Sequence, residues 1–229
     1  MRETIPNKKN HWPKVVGFTV IALLITNHLF AHVVVGELEK MSKSDAALLY
    51  LRLGYQHIIP QGFDHILFVT GLCLLSKKIS VILWQATAFT VAHSITLALS
   101  MKNIIVAPSA VVEPVIALSI LFIAVENLLV TKLSAWRVLI VFMFGLIHGL
   151  GFASALNEIG LPPNKFFLSI FSFNVGVELG QITVIVTVFA LAVIPFRNII
   201  NYKKRIVYPL SILIAVIAFY WTIERVFFV

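Results

Sequence analysis

Charge is what this sequence has least of. Only 12% of its 229 residues are Asp, Glu, Lys or Arg, where a soluble domain carries roughly 25%. With 59% hydrophobic residues, the chain lacks the polar surface of a water-soluble fold, and an ordinary globular core is excluded. Cysteine is the next shortage. Cys73 is the single one, so no disulfide can form within the chain. Its apolar surroundings suit a small buried hydrophobe. Lys and Arg number 18 and give a formal net charge of +8. They sit between apolar runs and form no continuous basic stripe, which argues against nucleic acid as a partner. No nucleotide-binding motif, internal repeat or low-complexity tract occurs, so coupling to ATP within this chain is not expected.

What is there is a series of apolar runs. A spanning helix needs about 20 such residues. Six segments qualify: 55–75, 79–100, 110–130, 136–156, 166–195 and 206–227. The predicted fold class is all-α: a polytopic membrane helix bundle with six core transmembrane helices plus an N-terminal signal peptide or seventh helix. Residues 1–31 carry those two alternatives. Arg2, Lys8, Lys9 and Lys14, the apolar run 15–26 and Ala31 resemble a signal peptide. Residues 15–35 could instead cross the membrane, interrupted by Asn27 and His28. Cleavage after Ala31 would expose His32 as an amine-plus-imidazole chelator. Residues 32–54 are expected as an outer-face segment whose amphipathic helix turns Leu48, Leu49, Leu51 and Leu53 to lipid. Residues 55–229 are expected as the six-helix transmembrane domain.

Basic residues orient the bundle. With the N-terminus inside, twelve Lys and Arg fall on inner segments and six on outer ones, a two-to-one bias that obeys the positive-inside rule.

Ionisable side chains in hydrocarbon are costly and usually face a bundle interior or a wet cavity. Here they are imidazoles and carboxylates, with no Lys or Arg deep in any run. The set suits a cation. His57, Asp64 and His65 enter from the outer face, and His93, His148 and Glu178 fall in the outer half of three other segments. Pro60 and Gly62 intervene between His57 and Asp64, where a kink would free backbone carbonyls. Each residue also has a plain structural role open to it. A lone His often only bonds a neighbouring helix. Glu113 precedes Pro114 like an acid in a first helical turn. Glu126-Asn127, nearer the inner side, suits a helix bridge. Gly145 with Gly149, and Gly176 with Gly180, have the four-residue spacing that lets helices approach closely.

Five ordered blocks, QGFDHILFVTGLCLL, FTVAHSITLALS, VEPVIALSILFIAVENLL, FGLIHGLGFASAL and FNVGVELGQ, together resemble the HupE/UreJ family of small bacterial membrane proteins. The resemblance covers about residues 53–181. It implies six or so spanning helices, often behind a signal peptide, in the bacterial inner (cytoplasmic) membrane. It also implies a nickel or cobalt permease linked to hydrogenase or urease maturation. The family's metal motif, a His followed at short spacing by Asp-His, falls on His57, Asp64 and His65. Six residues separate His57 from Asp64 where the family pattern has five. Of the later Phe-His-Gly motif with its second His and Glu, only His148-Gly149 is kept.

The expected function is therefore a permease for a divalent transition metal, Ni, Co, Zn or Fe, rather than an enzyme. His57, Asp64, His65, His93, His148 and Glu178 are the expected metal ligands. Glu113, Glu126, Asn127 and Gln181 line the expected path. The alternative is an intramembrane zinc hydrolase using the same ligands, with Ser94 beside them and an open position for water. A third reading is an assembly partner with a purely structural polar core. The implied partners are the metal ion and membrane lipid, and self-association is left open.

Overall fold

The computed structural model describes residues 37–130 and 133–228. The signal peptide or seventh helix, with His28, Ala31 and His32, lies outside the described residues. Those described contain helices and no strand. Seven α-helices follow in order: α1 (Lys43–Ile58), α2 (Phe63–Leu75), α3 (Ile79–Met101), α4 (Ser109–Leu129), α5 (Arg137–Ile159), α6 (Phe166–Val188) and α7 (Tyr208–Phe227). Four stretches, Ile79–Met101, Ser109–Leu129, Pro163–Val193 and Lys203–Phe227, are long and apolar enough to cross a membrane. The pair α1 and α2 makes a fifth if taken as one span, and Arg137–Ala153 is a shorter apolar helix. The result is a polytopic helical bundle.

Local chemistry sets the ends. The Ser42 hydroxyl accepts from the Asp45 N–H at 3.1 Å and caps α1. Gly160 closes α5 at φ 86°, backbone that a residue with a Cβ adopts only at a cost. Pro209 stands in the first turn of α7, directly after the π-helical turn Lys203–Val207 that leads into it.

The first expected span, 55–75, is not one helix. It breaks at 59–62, and α1 and α2 meet at 68°. Pro60 has no N–H to continue the ladder, and a Cβ at Gly62 would overlap the His57 carbonyl oxygen. The amphipathic helix expected on the outer surface also differs. α1 runs through residue 54 without interruption and packs lengthwise along α6. Its buried face is the four-residue stripe Ala46, Tyr50, Gly54 and Ile58, while Leu48 is exposed and Leu49 and Leu53 rest against the core.

Three helix pairs carry most of the packing: α3 with α5, α1 with α6, and α4 with α7. The short α2 sits among them, touching α4 and α6 most. The glycine pairs lie at two of these seams. A Cβ at Gly149 would strike the His93 carbonyl and the Thr96 hydroxyl of α3, and one at Gly176 would strike the Leu51 carbonyl of α1. Glycine there lets backbones touch, which is how bundles gain dispersion energy where lipid supplies no hydrophobic drive.

Candidate metal centre

The break between α1 and α2 folds the last turn of one helix against the first turn of the next. His57 and His65 thereby meet edge to face, ring centroids 4.7 Å apart. His93 arrives from α3, at 6.0 Å from the His57 ring and 6.1 Å from His65. One nitrogen from each of the three lies within 4.8 Å of the other two. Metal–nitrogen bonds of about 2.0–2.1 Å set tetrahedral ligand atoms roughly 3.4 Å apart. The widest pair therefore closes by at most about 1.4 Å, within reach of χ rotations. Phe89, Phe152 and Phe173 wall the group, with Phe152 at 3.8 Å from the His57 ring centroid.

Hydrogen bonds fix which nitrogens face inward. The Asn174 amide donates to the Ile170 carbonyl at 2.9 Å, so its Oδ1 is the free acceptor. Oδ1 lies 3.1 Å from His93 Nδ1, which must then carry the proton. His93 Nε2 is left as a lone pair, buried and without a partner. The same logic holds for His148. The Ser119 hydroxyl donates to the Ile116 carbonyl at 2.7 Å, and its oxygen lies 3.0 Å from His148 Nε2. That nitrogen donates, and buried Nδ1 keeps an unpartnered lone pair. Nε2 of His57 and of His65 are also buried and unpartnered. Unsatisfied buried polar atoms are rare in native folds. Four on neighbouring imidazoles, two of them oriented by a backbone-anchored partner, fit the donor set of a borderline transition metal.

His148 stands beside the trio, its ring 5.0 Å from that of His65, but it is not in the group of three. A cavity of about 290 Å³ opens above, with His57, His65 and His148 in its wall, Gln61 from the α1–α2 break, and Asp64, Glu113 and Arg225 from near the ends of their helices. The remaining expected residues are engaged elsewhere. Both Asp64 oxygens accept from Arg225 Nη2, at 2.9 and 3.1 Å. The Glu113 carbonyl accepts from Arg225 Nη1 at 3.3 Å. Glu178 takes the hydroxyls of Thr87 and Thr90 at 2.6 and 2.5 Å. That contact lies one turn along the α3–α6 seam from the His93–Asn174 pair. Gln181 is buried, its Oε1 3.2 Å from the Thr90 hydroxyl. Glu126 lies 3.2 Å from Arg137 Nε. Asn127 bonds the Gly71 carbonyl at 2.8 Å and accepts from Arg137 Nη2 at 3.4 Å. Ser94 donates to the Thr90 carbonyl at 2.6 Å.

Sequence reasoning missed Asn174 and Ser119, the two orienting partners. Arg225 and Arg137 entered it only in the count of basic residues on outer and inner segments, whereas Arg137 is 1% exposed. Small polar residues one or two turns from a membrane glutamate or proline were the available signal.

Fold and site together define a helical membrane protein with an imidazole cluster at the base of a cavity. The HupE / UreJ protein family model matches residues 18–225, and the chain belongs to that family, one associated with nickel and cobalt uptake. No curated relative and no solved structure matches the chain.

Proposed function

We propose that the protein is a permease of the bacterial inner membrane for a divalent transition-metal cation of the nickel and cobalt kind. The observation that carries this reading is the convergence of three buried, unpartnered imidazole nitrogens from α1, α2 and α3 beside an open cavity. The ion, as cargo, enters through the cavity beside the α1–α2 break, whose wall carries Gln61, Asp64 and Glu113. It exchanges water for His57, His65 and His93, with His148 next to His65. Its onward path runs along the α3–α6 seam past Glu178 and Gln181. The membrane potential, worth about 2.3 kcal/mol per charge per 100 mV, can drive the transfer.

One observation favours the zinc-hydrolase reading. The expected inner exit at Glu126 holds a buried guanidinium, Arg137, which repels a cation. Metal content of the purified full chain, followed by ⁶³Ni²⁺ uptake into proteoliposomes, separates the two. Binding with inward flux is expected. Bound metal without flux sinks transport and leaves the hydrolase, and no bound metal sinks both.

A further inference from the structure

The bundle end opposite the cavity carries charge of one sign. Asp and Glu are absent from residues 65–112, 127–157 and 179–223, so the α2–α3 turn, the start of α5 and the α6–α7 turn hold basic residues alone. Glu126, the one carboxylate at that end among the described residues, is taken by Arg137. Lys77, Lys78, Arg197, Lys203, Lys204 and Arg205 remain, and among the described residues none of them pairs with a carboxylate. Two of the lysines build the surface. Lys77 Nζ donates to the Arg197 carbonyl at 2.6 Å and lies 4.9 Å from the Tyr202 ring centroid. Lys203 Nζ donates to the Val130 carbonyl at 2.5 Å and lies 5.3 Å from the Tyr208 ring centroid. They pin the α2–α3 turn and the end of α4 to the α6–α7 turn, around which Lys78, Arg197, Lys204 and Arg205 stay exposed. The same turn exposes Ile194, Phe196 and Ile200, the last by 80%, and Trp136 is exposed at the start of α5. Aromatic and basic side chains together at the ends of membrane helices mark the level of the lipid headgroups.

We propose that this face, built on the α6–α7 turn, binds the phosphodiester headgroups of anionic phospholipids. Charge complementarity carries the proposal, and the apolar tip chooses the partner. A soluble anion would use the cations and leave Phe196 and Ile200 in water, whereas a lipid covers both. The planar guanidinium forks of Arg197 and Arg205 match phosphate oxygens in pairs, while Lys78 and Lys204 act as point charges. Each cation close to an anionic leaflet strengthens the attraction about fivefold. Four on one turn-sided face therefore favour an anionic lipid over a zwitterionic one, whose headgroup brings its own positive charge. The inference uses the membrane bundle alone and is independent of the metal-site reading.

The test is native mass spectrometry of the full chain released from nanodiscs of equal parts phosphatidylcholine and phosphatidylglycerol. The wild type retains phosphatidylglycerol in preference to phosphatidylcholine. Arg197→Gln, Lys204→Gln and Arg205→Gln together lower that preference at least about tenfold. Lys40→Gln, Lys43→Gln and Lys102→Gln, the same charge change at the opposite end of the bundle, leave it unchanged. Phosphatidylglycerol vesicles also raise the thermal midpoint of the wild type above its value in phosphatidylcholine vesicles. No preference in the wild type, an equal loss in both triple variants, or the same thermal gain from inorganic phosphate added to phosphatidylcholine vesicles overturns the proposal. Ni²⁺ affinity stays at the wild-type value in the Arg197, Lys204 and Arg205 variant, so failure here is distinguishable from failure of the metal site.

Discussion

Replacing Asn174 with alanine removes the one acceptor that faces His93 Nδ1. His93 is 0% exposed, so water cannot take its place without a cavity opening. The imidazole then has two choices. It can keep its proton on Nδ1 and bury an unpaired donor, at a cost of about 1–3 kcal/mol. Or it can move the proton to Nε2, which turns an N–H towards the other two histidines and removes a ligand from the site. Either choice raises the cost of binding a metal. Loss of such an outer partner weakens metal affinity by about 10–100-fold, equivalent to about 1.4–2.8 kcal/mol. Isothermal titration of the detergent-solubilised variant with Ni²⁺ reads this directly. Asn174→Asp, which keeps an acceptor and strengthens it, should retain or increase affinity at a comparable melting temperature. An unchanged affinity in Asn174→Ala, in a protein where His93→Ala abolishes binding, would refute the tautomer argument.

Three further outcomes follow from the packing. Gly149→Leu should lower stability by at least about 1–3 kcal/mol, the range for overpacking, because its Cβ would meet the His93 backbone. Gly71→Ala should cost less, since its Cβ meets only the Ile123 side chain, at 2.9 Å; thermal denaturation in detergent compares them. Arg137→Met should destabilise by about 3–5 kcal/mol by leaving Glu126 unpaired, and adding Glu126→Gln should recover most of that loss in the same assay. Cys73, fully buried, should resist a membrane-impermeant maleimide in the folded protein and react after denaturation, as intact mass spectrometry would show.

The bundle was legible in the sequence because hydrocarbon demands long apolar runs, and a run of that length has few other uses. Its close seams were legible too, since the spacing of Gly145 with Gly149 and of Gly176 with Gly180 reflects the pitch of a helix. The convergence of His57, His65 and His93 could be foreseen from depth alone, because the cost of burying imidazole singly favours shared burial. Depth says nothing about direction around a helix axis, however. That is why Asp64 and Glu178, at suitable depths, turn to Arg225 and to two threonines instead. Pro60 and Gly62 marked a disturbance in the first span, but a kink and a full break look alike in one dimension. Arg137 stands at the first residue of its helix, where composition reads as interface, and only packing reveals that Glu126 and Asn127 draw it inward.

The identity of the ligand atoms is the centre of the account, and nickel K-edge X-ray absorption of the metal-loaded protein reads them most directly. A first shell containing three imidazole nitrogens, with their outer-shell scattering lost in step in His57→Ala, His65→Ala and His93→Ala, is the expected result. A shell of oxygen donors alone, unaffected by those three substitutions, would contradict it.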